Sequence, residues 1–263
     1  VSKSSLEFLG TTYQGPDNSS FSFARVFEDP ERPGYSELVV DDGTGLKNSR
    51  SLLITGDTFT VPAGGARFLT HERPATKELT ADKITVTRGG NRIDINSQDF
   101  VSIPERGLVY FKPNVLQEDD TVSFSGFRKY TGLIAQLQEQ IEGNVNNGSV
   151  QTGFRAAGTR VRVVPPTITD VEVDIKIIVQ PQQDREVIQL AVQNAAVDYI
   201  NNLDIGQELT SATLTTHLMI TQPLGSCSIF IKGTNTLFQA LYPASAKHVL
   251  RTSSEKITVT TSL

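Results

Sequence analysis

Tryptophan is absent from this chain of 263 residues, and cysteine and methionine occur once each. A single cysteine, Cys227, cannot form an intrachain disulfide. Stability must then come from a buried core, which a chain of this length can supply without a disulfide or a structural metal. Long apolar runs are also missing. The longest, such as Ile177-Ile178-Val179, are strand-sized, against the roughly 20 residues of a membrane-spanning helix. Membrane insertion is therefore not expected. Basic clusters are lacking too: 24 Lys and Arg stand against 29 Asp and Glu, for a net charge of -5. That balance argues against nucleic acid as a partner, because phosphate binding needs grouped cations. The imbalance concentrates in 163–231. There Lys176 and Arg185 face Asp170, Glu172, Asp174, Asp184, Glu186, Asp198, Asp204 and Glu208, a pattern that reads as a solvated acidic face. The opening Val1-Ser2-Lys3-Ser4-Ser5 has no apolar signal-peptide core. It begins with Val, so the chain reads as trimmed, processed or started mid-protein. The lone cysteine fits a reducing cytoplasm.

Sites of chemistry are scarce in the same way. His71, His217 and His248 have no second His or Cys at metal-ligand spacing. Cys227 lies in an apolar strand pattern and reads as an inert core thiol. Gly43-Thr44-Gly45 could open a dinucleotide loop, but Asn48 stands where the third glycine is needed. Asp41-Asp42-Gly43 lacks the spaced oxygen ligands of a calcium loop and reads as a turn with self-bonding Asp side chains. Glu172 and Asp174 share a strand face as exposed carboxylates rather than an acid–base pair. Asn18-Ser19-Ser20 and Asn147-Gly148-Ser149 match the glycosylation pattern by chance. Tyr130 and Phe154 fit core or interface packing better than ligand stacking. No catalytic, cofactor or metal residues are expected, and no enzyme activity.

What is present is strand and helix patterning. Residues 1–34 carry the breakers Gly15-Pro16-Asp17-Asn18 and Asp29-Pro30-Glu31-Arg32-Pro33-Gly34 around Phe21, Phe23 and Phe27. They read as an extended arm or lead-in. Residues 35–130 read as a β-rich domain, sandwich- or barrel-like, built of short strands. Its best hairpin is Ile84–Thr87 and Arg92–Ile95 around Gly89-Gly90. Residues 131–160 read as a helix and linker. Leu133, Ile134, Leu137 and Ile141 recur at helical spacing, with Thr131 as N-cap and Gly143 as stop. The tract Gly143–Ser149 reads as a loop, and 143–153 as a hinge at which blocks reorient. Residues 161–263 read as an α+β domain of order strand, helix, helix, strand, strand. Val171 to Val179 alternate as one long strand. Asp184 caps a helix whose apolar stripe runs Val187, Ile188, Ala191, Val192, Ala195, Ala196, Tyr199, Ile200. A second helix starts at Thr210 or Ser211 and ends near Pro223. The last strand is Ile257–Thr260. The fold class is thus α+β.

The run Gly153-Phe154-Arg155-Ala156-Ala157-Gly158-Thr159-Arg160-Val161-Arg162-Val163 resembles the linker of the phage baseplate J-like family. So do the strand Asp170–Gln180, the helix Asp184–Asn202 with its Tyr199-Ile200 ending, Leu203-Asp204-Ile205-Gly206-Gln207-Glu208-Leu209, the Pro223-Leu224-Gly225 turn and the strand Glu255–Thr260. Val39-Val40-Asp41-Asp42-Gly43-Thr44-Gly45 is similar to a segment of the same family. The resemblance covers 145–263 well and 35–130 loosely. Where family members often carry Pro-Gly-Val, this chain has Pro223-Leu224-Gly225-Ser226. The β-rich stretch 56–130 is large for the family, and part of the usual N-terminal region is missing.

The resemblance implies a baseplate wedge subunit of a contractile tail, linking hub, sheath and periphery and rearranging on contraction. Its implied partners are hub and spike, sheath-side and peripheral tail proteins, together with further copies of itself, as a homo-oligomer such as a dimer or as multiple copies in a ring. Its implied place is the virion tail, assembled in the bacterial host cytoplasm. A receptor- or carbohydrate-binding tail protein is the alternative that a β-rich module suggests. The absence of Trp weakens it.

Overall fold

The computed structural model describes residues 2–44, 46, 51–146, 149–154, 158–181 and 183–262. The fold is mixed α+β. In chain order the elements begin with α1 (Lys3–Thr12), β1 (Phe23–Glu28), β2 (Tyr35–Asp41), β3 (Ser51–Ile54), β4 (Asp57–Thr60) and β5 (Phe68–Thr70). Next come β6 (Ile84–Arg88), β7 (Asn91–Ile93), β8 (Phe100–Ile103), β9 (Leu108–Phe111), β10 (Thr121–Phe124) and β11 (Phe127–Tyr130). They are followed by α2 (Leu133–Glu142), β12 (Gly143–Asn146), β13 (Ser149–Thr152), β14 (Arg160–Val164), β15 (Thr167–Asp170) and β16 (Val173–Val179). The last are α3 (Arg185–Asn201), β17 (Leu209–Thr210), α4 (Ser211–Thr221), β18 (Leu224–Ile231), β19 (Ala240–Leu241), β20 (His248–Arg251) and β21 (Ile257–Ser262). The chain divides into two compact units. The first comprises Val1–Ser20, Val26–Leu38 and Lys47–Val164; the second comprises Phe21–Arg25, Val39–Leu46 and Pro165–Leu263.

Residues 1–34, expected as an extended arm or lead-in, hold α1 and β1 and contribute to both units. Ser2 caps α1 by accepting from the Ser5 N–H at 3.2 Å. Leu6, Phe21 and Val26 are buried. Burying such side chains is worth about 1.5–3 kcal/mol each, enough to hold this segment on the units.

In the first unit one sheet runs β4–β10–β6–β7 and another β5–β9–β8. Ile84, Val86, Val122 and Phe124 from the first sheet and Leu69, Phe100, Val109 and Phe111 from the second belong to one apolar cluster. The β6–β7 hairpin turns at Gly89 and Gly90, both at positive φ, as a two-residue turn between right-twisted strands requires. Strand β7 stops at Ile93, short of the expected Ile95. On α2 Ile134, Leu137 and Ile141 are buried, as the periodicity predicts; Leu133 is only half-buried, and Gln138, outside the predicted stripe, is buried. The N-cap, however, is Gly132 at φ 67, not Thr131.

The tract Gly143–Ser149 is not an open loop. Strands β12 and β13 pair antiparallel through it, and Asn147 and Gly148 lie outside the described residues. Asn-Gly between two β-capable runs is a hairpin signal. A Cβ at Gly153 would sit 2.2 Å from the Ile141 carbonyl oxygen, so only glycine fits where the chain leaving β13 passes the C-terminal end of α2.

In the second unit β16 is the middle strand, antiparallel to β18 and parallel to β21. Val173, Ile175 and Ile177 of β16 share a cluster with Ile188, Val192, Ala196 and Ile200 of α3 and with Leu214 and Leu218 of α4. Asp184 caps α3 and Thr210 caps α4. The long strand expected from Val171 to Val179 is β16, which starts at Val173, and a separate strand, β15, precedes it. Strand β15 pairs parallel with β20, and Val171 is bound at its N–H to Arg251 O (2.9 Å) before the chain changes partner. Val187, expected in the core, is exposed. At four-residue spacing, Ile188, Val192, Ala196 and Ile200 already fill the buried stripe of α3.

Candidate functional site

The titratable groups singled out from the sequence are placed apart and engaged within the fold. His71 is buried, with Nδ1 2.8 Å from the Glu72 carbonyl oxygen and its ring between Phe124 (5.6 Å) and Phe127 (5.0 Å). Burial holds its pKa below the ordinary value. His217 stacks on Tyr199 at 4.6 Å, and His248 Nδ1 lies 3.2 Å from the Thr169 hydroxyl. Among the described residues no group of three or more His, Cys, Asp or Glu could hold a metal ion. Cys227 is half-buried on β18, and burial pushes its thiol up to about 11. It is therefore protonated near neutral pH and a poor nucleophile.

The Asp41-Asp42-Gly43 turn uses its two carboxylates differently. Asp42 Oδ1 accepts from the Thr44 N–H (2.9 Å), the Thr44 hydroxyl (2.7 Å) and the Leu46 N–H (3.2 Å), a self-bonding turn. Asp41 is fully buried and paired with Arg251, whose Nη1 also donates to Leu203 O (2.9 Å) and Leu250 O (2.6 Å). Gly45 and Asn48 of the glycine motif lie outside the described residues. Glu172 is exposed, whereas Asp174 accepts from the Gly233 N–H at 2.7 Å, so the two carboxylates do not act together. Asn18 sits at positive φ in a tight turn closed by Gly15 and Ser19. Tyr130 is half-buried, and burial raises its phenol.

Sequence reasoning did not reach the buried ion pairs of the first unit. Glu105 accepts from Arg160 Nε (2.6 Å) and Nη2 (3.3 Å), and Glu142 from Arg106 Nε (2.7 Å). Burial raises Glu142 while Arg106 pulls it down. Both carboxylates line a cavity of about 140 Å³ with Arg73, Gln138 and Glu139. Asp120, fully buried, takes a two-pronged bond from Arg88 Nε and Nη2, both at 2.8 Å, which holds its carboxyl below the usual range. These carboxylates are committed to arginines, an arrangement that fixes loops.

Two exposed apolar features stand out instead. On the β5–β9–β8 sheet the register aligns Phe68, Tyr110 and Val101 in one row, and Thr70, Leu108 and Ile103 in the next. Leu69, Val109 and Phe100 point into the core, so alternation puts both rows on the outer face. Phe68 is 58% exposed, Tyr110 41% and Val101 60%, and the two rings are 6.1 Å apart. The second feature is a groove of about 580 Å³ lined by Ser4, Ser5, Phe8, Leu9, Thr12 and the exposed Phe154. The signal for the first was available in Leu108-Val109-Tyr110-Phe111. A strand with four successive bulky apolar or aromatic residues has apolar character on both faces. No family model matches this chain, and no curated protein matches it.

Proposed function

We propose that this chain is a structural subunit of a phage or phage-like contractile tail baseplate. In this reading it is a wedge component that links hub, sheath and periphery and works by contact rather than catalysis. A sandwich-like β unit and a C-terminal strand-helix-helix-strand-strand unit serve as the blocks that neighbours grip. The observation that carries this reading is the apolar outer face of the β5–β9–β8 sheet, where six cross-strand positions hold five bulky apolar or aromatic residues and Thr70. Phe68, Tyr110 and Val101 are exposed in one row, Leu108 and Ile103 beside them are half-buried, and such a row suits contact with a neighbour. The commitment of the buried carboxylates to arginines supports the same reading, as does the resemblance over 145–263.

The paired exposed rings of Phe68 and Tyr110 favour the second reading, a carbohydrate- or receptor-binding tail protein. Val101, Leu108 and Ile103 around them supply no hydrogen bonds for sugar hydroxyls, which weights the balance towards a protein neighbour. Gold-labelled antibody against the chain on purified tails tests the proposal. Label at the distal end of the tail is expected, and label absent from the particle would overturn it. Binding of the full chain to cell-surface glycans, lost in Tyr110→Ala, would favour the second reading.

A further inference from the structure

We propose that a cleft on the second unit, between the 204–208 turn and the 242–246 segment, binds a neutral saccharide. The inference reaches beyond the subunit reading and does not rest on it. The cleft measures about 590 Å³ and is lined by Asp204, Gly206, Gln207 and Glu208 of the turn, by Tyr242 and by Arg25 of β1, all within the second unit. That volume lies inside the roughly 300–1,000 Å³ of small-molecule sites. The turn is locked against the backbone beside it. Gly206 sits at φ 76 and donates its N–H to His248 O (2.8 Å), and a Cβ there would lie 2.9 Å from the Ala246 carbonyl oxygen. The Asp204 N–H donates to Gln207 Oε1 (2.9 Å), and the Ile205 N–H to Asp204 Oδ1 (2.6 Å). Leu209 pairs with Leu241, so Glu208 and Tyr242, one residue beyond on each strand, stand across from one another. Walls fixed before a ligand arrives lose little affinity to ordering.

The polar groups that the fold leaves over in this cleft select the ligand. Arg25 Nη2 donates to Asp204 Oδ2 (2.8 Å), an ion pair whose two side chains both stay partly exposed. Gln207 commits its Oε1 to the turn, and its Nε2 remains as a donor. The Glu208 carboxylate and the Tyr242 hydroxyl have no hydrogen-bond partner among the described residues. A phosphate or carboxylate ligand would meet Asp204 and Glu208, and an ammonium ligand would meet Arg25, so charge of either sign is disfavoured. Hydroxyl groups both donate and accept. An array of them matches a cleft that offers a guanidinium and an amide as donors and carboxylates as acceptors. The Tyr242 ring, 66% exposed, supplies an apolar plate for the flat face of a sugar ring while its hydroxyl stays in water. Hydrogen-bonding groups and an aromatic plate thus meet in one cleft, the combination that the β5–β9–β8 face does not offer.

The test is proton–nitrogen NMR of the full chain, titrated separately with the methyl glycosides of glucose, galactose and mannose, and with ethylammonium and inorganic phosphate as charged probes. At least one glycoside is expected to shift the backbone amides of 204–208 and 242–246 saturably, and neither charged probe to do so. Tyr242→Ala and Glu208→Ala, both at exposed positions, should each weaken that binding about tenfold. Circular dichroism matching the parent checks that both variants keep the fold. No saturable shift from any of the three glycosides overturns the proposal. So do shifts confined to other residues, or both variants binding as the parent does. Saturable binding of ethylammonium in place of the sugars would assign the cleft to cations and overturn it as well. The subunit reading does not depend on this cleft, so it stands or falls by the labelling of tails alone.

Discussion

Both units solve the same problem with the same residue type, and the difference between them is burial. In the first, Gln138 of α2 is buried and fills one edge of β14, donating to Val161 O (2.8 Å) and accepting from the Val163 N–H (2.7 Å). In the second, Gln189 and Gln193 of α3 reach the outer carbonyls of β21, at 2.6 Å to Val259 O and 2.8 Å to Ile257 O. A strand edge with unmet backbone groups is a template for unwanted pairing, and in each case a helix amide fills it. Water can replace the amides of the partly exposed pair in the second unit, but it cannot readily replace Gln138. The same polar contact is therefore costly to lose in one unit and cheap in the other.

Charge burial runs the other way. Arg88, Arg106 and Arg160 in the first unit keep part of their guanidinium in water while pairing with buried carboxylates. In the second, Arg251 and Asp41 are both removed from solvent. The largest predicted effect follows. Arg251→Ala removes the buried cation that Asp41 is paired with, and should cost about 3–5 kcal/mol in denaturant unfolding. Replacing both partners, Arg251→Met with Asp41→Leu, should recover most of that loss. Next comes Gln138→Ala, which orphans two buried backbone groups and should cost about 2–4 kcal/mol. If it costs no more than Gln193→Ala, the burial contrast between the units is wrong.

A third prediction concerns pH. Burial holds His71 below its ordinary value of 6.5, so the unfolded chain binds the proton more readily. Stability should fall as pH drops below 6.5 and level off once the folded group also titrates. His71→Phe, placed between Phe124 and Phe127, should flatten the urea midpoint over this window. An unchanged slope would locate the acid sensitivity elsewhere. The smallest effect is Gln193→Ala, less than about 1 kcal/mol, with a raised tendency of the β21 edge to pair as its second readout.

Much of the second unit was legible in the sequence because its signals are local. Asp184 announces α3, Thr210 announces α4, and the alternation of Val173, Ile175 and Ile177 marks the middle strand. The split of 167–179 into two strands was not legible, since it depends on β20, some 80 residues away in the chain. In the first unit the Gly89-Gly90 hairpin was readable, but β5 and β8 were not. They are three and four residues long, and only their pairing with β9 defines them. The candidate surface was hidden for the same reason: Phe68, Val101 and Tyr110 form a row only through register. The burial of Gln138, Asp41 and Asp120 was not legible because nothing adjacent in the chain shows which backbone group or arginine will meet them.

The most direct test is removal of the gene from the source cell, with complete tails counted by electron microscopy and the chain then restored. The account predicts tails without finished baseplates, restored by the parent chain and restored poorly by the Phe68→Asp, Tyr110→Asp chain. Complete, contractile tails in undiminished number without this protein would contradict it.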